Sequence, residues 1–343
     1  MDPLMESEPA VGSQSWPRVE SRPGTTVRAR LTARGLRLTV GPLLSMWPLS
    51  KHGLRPAVAI DLAAPLALPT PRWADVESVP FGEFHGEWVR APHAASDRAV
   101  LYFHGGGFFS CGLRTHRRMI ARIAAASGAP VLSVAYRQLP AAPLAVSVED
   151  AVTAYRWLLD QGYSADRIVV AGDSAGGFLT FAATLRAMAD GLPRPAALVA
   201  LAPLTDLDDT AKLEHANAQL DAYLPARRVR RLASLLTENA GPLDPAVSPV
   251  NGELGGLPPT LIQVSSSEML YPDAELMAER LTAAGVPCRL QVWENQVHVF
   301  QVFADLVPEG LAALHEVGAF VREHTEPRAE QSGSRRRART AAA

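Results

Sequence analysis

Six short runs rich in apolar and β-branched residues recur along this chain: "RAVLYFH" (98–104), "APVLSVAY" (129–136), "RIVVAG" (167–172), "AALVALAP" (196–203), "PTLIQVSS" (259–266) and "PCRLQVW" (287–293). Helical stretches separate most of them. A strand that reads as a continuous apolar run is buried on both faces, and a parallel neighbour needs a crossover connection, usually a helix. The helical stretches carry their own punctuation. "RTHRRMIARIAAASG" stops at Gly128, "SVEDAVTAYRWLLDQG" opens on Ser147 as a cap and stops at Gly162, and "DAELMAERLTAAG" opens on Asp273 and stops at Gly285. Two earlier runs, "VESVPFG" and "GEWVRA", are parted only by the residues Glu83 to His85, a spacing that suits a hairpin. The expectation is an α/β fold: a mostly parallel, eight-stranded sheet with helices on both faces, antiparallel at its start.

Two segments break the alternation. Residues 26–71 and the insertion at 204–240 read as two halves of a helical cap over one sheet edge, and the α/β body runs from 72 to 324. The acidic, polar head (1–25) and the tail (325–343), with Arg335 to Arg337 and Arg339, have little to bury and are expected to be disordered.

The 343 residues are 48% apolar and 20% charged, as in an ordinary globular protein, and a net charge of -2 gives no electrostatic reason to expect nucleic acid. Cys111 and Cys288 lie far apart, with neither zinc-ligand nor disulfide-framework spacing. The start lacks a basic segment followed by an apolar run. "PAVAIDLAAPLALP" (56–69) is short and broken by Asp61 and prolines, so it does not span a bilayer, and cytoplasmic residence is the default expectation.

Ligands of an open parallel sheet bind beyond the carboxyl ends of its strands. One such loop is Gly172-Asp173-Ser174-Ala175-Gly176, which places a serine between a strand and a helix, where a Cβ at Gly172 or Gly176 would collide with neighbouring backbone. A second is "HGGG" (104–107), whose backbone amides, with that of Ala175, can face the negative oxygen of a tetrahedral intermediate. Each such donor is typically worth about 3–4 kcal/mol in the transition state. A phosphate-binding turn is the alternative, but no P-loop lysine or G-x-G-x-x-G accompanies it. His104 reads either as a base or as a residue that holds the loop. An acid and a base follow in the order this architecture uses: Glu268 in "SSSEMLYPD" and His298 in "WENQVHVF". Glu268 could instead cap the helix beginning near Tyr271, with Asp273 as the fallback acid, and His298 could be a core histidine.

Taken in order, "HGGGFFSCGLRTHRR", "AYRQLPAAPLAVSVEDAVTAYRWLL", "GDSAGG", "SSSEMLYPDAELMAERLTAAGVP" and "WENQVHVF" resemble the hormone-sensitive-lipase-like branch of the α/β-hydrolases, over about residues 71–325. The resemblance implies the α/β-hydrolase fold with a helical cap, and a serine carboxylic-ester hydrolase acting on short to medium acyl esters through an acyl-enzyme intermediate. It implies a triad of Ser174, Glu268 and His298. The oxyanion hole falls at Gly105, Gly106, Gly107 and Ala175, with Gly105 supporting the loop. The implied partner is a small-molecule ester, with no cofactor and no metal. Where the family commonly reads Y-R-L-A-P-E, this chain reads Tyr136-Arg137-Gln138-Leu139-Pro140-Ala141. The missing glutamate predicts a less firmly held loop. A deacetylase, a lactonase, an interfacial lipase touching lipid through Leu38–Leu49, and a non-catalytic small-molecule receptor are the alternatives. A homodimer is left open.

Overall fold

In the computed structural model, which describes residues 17–50, 52–238 and 248–326, the chain begins with a strand, β1 (Arg18–Arg22), and three helices, α1 (Val27–Leu38), α2 (Val40–Met46) and α3 (Val58–Ala67). A hairpin of β2 (Asp75–Pro80) and β3 (His85–Arg90) follows. The alternation then runs β4 (Ala99–Phe103), α4 (Leu113–Ser127), β5 (Val131–Ala135), α5 (Leu144–Asp160), β6 (Ile168–Asp173), α6 (Ala175–Ala189) and β7 (Ala197–Leu201). Three helices, α7 (Thr210–Glu214), α8 (Asn217–Leu220) and α9 (Ala226–Glu238), interrupt it before β8 (Thr260–Ser265), α10 (Tyr271–Ala283), β9 (Cys288–Trp293) and α11 (Pro308–Thr325).

The strands form one sheet in the order β1-β9-β8-β7-β6-β4-β5-β3-β2. It is parallel except where β3 meets β2 and β5. Burial on both faces explains the apolar strand sequences. In β4, Ala99, Leu101 and Phe103 pack on the side of α5 and α6, while Val100 and Tyr102 point the other way, to the side of α4 and α11. Gly128, with φ 66°, closes α4 in the left-handed conformation that its lack of a Cβ permits.

Several expectations change. The sheet has a ninth strand: β1 lies within the head expected to be disordered, and pairs in parallel with β9 from Arg18–Arg289 to Arg22–Trp293. Its sequence, RVESR, buries no side chain fully, so the pairing rests on the backbone ladder and on Gln291, whose amide donates to Glu20 (3.0 Å). Thr325, taken as the start of the tail, is the last residue of α11, where its hydroxyl donates to the Val321 carbonyl (2.7 Å). Ser147 is not a cap. The helix α5 starts three residues earlier, and the buried Ser147 hydroxyl donates to the Arg137 carbonyl (2.6 Å). Residues 1–16, 239–240 of the insertion and 327–343, with the tail arginines, lie outside the described residues.

The two segments set apart in the sequence meet. The Arg228 side chain of α9 donates to the Ser45 carbonyl of α2 (2.7 Å), and Arg37 of α1 donates to the Leu220 carbonyl of α8. Asp61 of α3 accepts from the Thr115 amide in the first turn of α4 (2.8 Å), fastening this helical layer to the body. Among the described residues no helix is long and apolar enough to cross a membrane.

Candidate active site

Ser174 occupies the join between β6 and α6 with φ 51° and ψ -114°, a positive φ that a side-chain-bearing residue rarely adopts. The turn is over-determined by its bonds. The Ser174 amide donates to the Leu201 carbonyl (2.9 Å), and its own carbonyl accepts from Phe178 (3.2 Å) and Leu204 (3.0 Å). The glycines on either side are sterically required: a Cβ on Gly172 would lie 2.3 Å from the Gly176 carbonyl oxygen, and one on Gly176 would lie 1.9 Å from that of Phe103.

The glycine loop after β4 is tied to this turn by Asp173. Its buried carboxylate accepts from the Tyr102 hydroxyl (2.7 Å), the Gly105 amide (3.1 Å) and His116 Nε2 (3.2 Å). Burial alone would raise the Asp173 pKa; the His116 charge and these hydrogen bonds outweigh it and hold the carboxyl below its ordinary value. The Gly105 amide is therefore committed to Asp173 and is not free to donate to an oxyanion. By contrast, the amides of Gly106, Gly107 and Ala175 have no acceptor among the described residues. Gly106 (φ 117°) and Gly107 (φ 63°) both require left-handed backbone, and Leu232 of α9 closes over Gly107.

His104 holds this loop. Its Nδ1 bonds the Gly105 carbonyl (2.7 Å), its ring stacks on Tyr136 at 4.6 Å, and the Tyr136 hydroxyl donates to the His104 carbonyl (2.7 Å). Full burial lowers its pKa to about 4, so the ring is neutral and out of reach of solvent at neutral pH.

Glu268 and His298 meet beyond the ends of β8 and β9. The buried Glu268 carboxylate accepts from the Ser265 amide (2.6 Å) and bonds His298 Nδ1. The two loops are stitched together: the Ser265 hydroxyl donates to the Gln296 carbonyl (2.7 Å), and the Asn295 amide donates to the Ser266 hydroxyl (3.0 Å). The insertion braces both. Asn217 of α8 donates to the carbonyls of Ser266 (2.9 Å) and Glu268 (3.0 Å), Asp221 accepts from the Met269 amide (2.9 Å), and the Tyr223 hydroxyl donates to the His298 carbonyl (2.7 Å). Burial raises the Glu268 pKa, a shift that the adjoining imidazole opposes. For His298, burial is the largest influence and lowers the pKa, but the Glu268 carboxylate and its hydrogen bond, aided by Asp221 and Asp173, bring it above the ordinary 6.5.

Asp273, the fallback acid, is engaged elsewhere. It pairs with the buried Lys212 (2.8 Å) and accepts from the Thr205 and Asp206 amides (2.8 and 3.0 Å), pinning the start of the insertion to α10. Neither it nor Glu268 caps that helix by a side-chain bond. Sequence reasoning passed over Asp173, although it stands inside the quoted serine motif. It also passed over His116, Asn217, Asp221 and Tyr223, for which the sequence carried no local signal.

The Tyr136–Ala141 loop is held despite its missing glutamate. Arg137 forks onto Asp150 of α5, with Nε 3.0 Å and Nη2 2.6 Å from the carboxylate, and its amide also donates to Asp150 (2.8 Å). Gln138, Leu139 and Ala141, where the chain departs from the family pattern, all line a cavity of about 410 Å³ bounded by Leu54, Val58 and Phe109. Among the described residues no cluster of three or more His, Cys, Asp or Glu side chains could hold a metal ion.

Residues 100–302 match the family model described as the α/β-hydrolase fold. Esterase LipU of Mycobacterium tuberculosis is 39% identical over 298 residues, which cover 84% of this chain and 100% of that protein. The chain belongs to the hormone-sensitive-lipase-like family of bacterial esterases. Carboxylesterase/phospholipase LipF of the same organism is 37% identical over 88% of this chain and 83% of its own length. The crystal structure of an esterase from the bacterial hormone-sensitive lipase family superposes with a TM-score of 0.78 at 35% identity, covering 88% of this chain and 99% of that one. This esterase is accordingly a carboxylic ester hydrolase of the α/β-hydrolase fold.

Proposed function

We propose that the esterase hydrolyses short to medium acyl esters through an acyl-enzyme formed on Ser174, with His298 as the general base and Glu268 as the acid that orients it. The observation that carries this reading is the buried Glu268–His298 pair: Nδ1 is engaged by the carboxylate, and Nε2 has no partner among the described residues. In the neutral ring the proton then sits on Nδ1, and the Nε2 lone pair is the one left to act.

Nε2 takes the proton of Ser174 as its Oγ bonds the ester carbonyl carbon. The carbonyl oxygen becomes an oxyanion, which the amides of Gly106, Gly107 and Ala175 receive. The N-terminus of α6 adds its partial positive charge. Collapse breaks the bond to the alcohol, which leaves with the proton from Nε2. Water, deprotonated by the same nitrogen, then attacks the acyl carbon, and Ser174 departs with that proton as the carboxylic acid forms.

Ser174→Ala is expected to lower kcat on 4-nitrophenyl butyrate by about 10⁵–10⁶-fold with an unchanged circular-dichroism spectrum. A folded variant that turns over at the wild-type rate would defeat the mechanism. Rates along an acyl series from acetate to palmitate are expected to peak at the short to medium chains; a peak at palmitate that requires an emulsion would assign a lipase instead.

A further inference from the structure

The cap leaves apolar side chains in water that its own packing does not cover. Among the described residues, more than half of the exposed large hydrophobic side chains lie on α1, α2 and α3, with Leu66 91%, Leu38 77% and Met46 74% exposed. They fall in stripes. At about 100° per residue, Val27, Leu31 and Leu38 occupy one band about 40° wide along α1, bordered on one side by Arg30 and Arg34 and on the other by Arg28. On α3, Val58, Leu62 and Leu66 repeat every fourth residue, while Asp61, about 100° round the helix from Leu62, is the residue that docks against α4.

The charge around these stripes is one-sided. Arg28, Arg30, Arg34, Arg55 and Arg227 are exposed, and their guanidinium groups meet no carboxylate or other acceptor among the described residues. The helices α1 and α2 contain four arginines and no acidic residue, so this part of the cap is cationic although the whole chain carries a net -2. An apolar stripe on α1 bordered by unpaired arginines, with a second apolar stripe on α3, matches the boundary of an anionic bilayer, where acyl chains take the stripes and lipid phosphates take the guanidinium groups. A second copy of the chain fits poorly, because it would bring the same unpaired arginines against these.

We propose that the exposed face of α1–α3 docks the enzyme on an anionic lipid surface. The cap also places Leu232 over Gly107 and Tyr223 on the His298 loop, so the docking face belongs to the layer that covers the site. Docking does not depend on the proposed triad, and Ser174→Ala protein keeps the two readings separate.

The test is flotation of Ser174→Ala protein with vesicles of phosphatidylcholine alone and with about 30% phosphatidylglycerol. Binding to the anionic vesicles is expected to be at least about tenfold tighter, and to fall at 0.5 M NaCl. Leu62→Ser with Leu66→Ser is expected to weaken binding to both vesicles more than tenfold. Arg30→Gln with Arg34→Gln is expected to weaken the anionic arm alone, by about 30-fold at about fivefold per arginine. With Ser174 restored, each pair should still hydrolyse 4-nitrophenyl acetate at the wild-type rate, which shows that it folds. Equal binding to both vesicles, binding to neither, or a dimer that the leucine substitutions split would each overturn the proposal.

Discussion

Two buried carboxylate–imidazole pairs stand at the strand ends, Glu268–His298 and Asp173–His116, and they differ in what the far nitrogen of each ring does. His116 Nε2 faces Asp173, and Nδ1 lies 2.9 Å from the Thr115 hydroxyl and 3.3 Å from the Gly112 carbonyl, so both nitrogens are engaged. Among the described residues His298 has a hydrogen-bond partner only on Nδ1. The first arrangement is a clamp: it ties the serine turn, the glycine loop and α4 at a single carboxylate. The second retains a lone pair that can accept a proton. Burial and partner type are nearly the same in the two pairs, so the open nitrogen is what separates the proposed base from the brace.

The sharpest way to break this contrast is to remove each imidazole in turn. His298→Ala is expected to lower kcat by about 10⁵-fold or more, and Glu268→Gln by about 10⁴-fold because the wrong tautomer forms, whereas His116→Ala should leave kcat within about tenfold. Single-turnover and steady-state rates on 4-nitrophenyl butyrate would check the order. The wild-type rate should rise with pH through the raised His298 pKa, since the base must be neutral. Without the Glu268 charge that limb should move to lower pH in the Glu268→Gln residual activity. Equal losses from His298→Ala and His116→Ala would erase the distinction.

A middle-sized effect should come from Asp173→Asn. The substitution weakens the acceptor that holds the Gly105 amide, so the neighbouring donors at Gly106 and Gly107 lose their fixed positions, and kcat is expected to fall about 10²-fold with KM little changed. A loss confined to KM would show that the clamp positions substrate rather than the oxyanion donors.

The smallest effect is on stability. The His116 pKa is raised in the folded protein: burial lowers it, but Asp173 and the accompanying hydrogen bonds more than compensate. A raised pKa stabilises the fold fully below the ordinary 6.5, and the contribution fades as pH rises through the folded value. The depressed Asp173 pKa gives a contribution present above 3.8 and lost as pH falls through its lower folded value. The gap in urea midpoint between wild type and His116→Asn should therefore be widest near pH 5–6 and narrower at pH 9. A gap that widens toward pH 9 would mean that His116 is neutral in the clamp.

What the sequence made legible was whatever local chemistry dictates. The apolar strand runs, the glycine stops at Gly128, Gly162 and Gly285, and the crowding around Gly172 and Gly176 all follow from backbone sterics, and each can be read within a few residues. Glu268 and His298 stand out in the sequence because each closely follows a strand in the order expected of this architecture, and the structure brings the two side chains together. The clamp was not legible, because Asp173 and His116 lie 57 positions apart and only the packing of α4 on the sheet brings them together. The same holds for Ser147, whose hydroxyl bonds a carbonyl ten residues upstream. Strand β1 was hidden for another reason: at a sheet edge a polar segment needs only its backbone to pair, and RVESR carries no apolar pattern to announce it.

That edge strand sets how short the protein can be made. Beyond the ladder, the Gly24 amide donates to the Glu294 side chain (2.7 Å) and the Thr25 hydroxyl to the Glu294 carbonyl (2.9 Å), in the loop that leads to His298. A chain trimmed to begin at Thr26 would retain every residue assigned a chemical role here. It would also bare the amides and carbonyls of β9 that face β1, a ready template for strand-to-strand aggregation. Trimming past Arg18 thus costs the sheet its edge strand, nine residues before α1 begins.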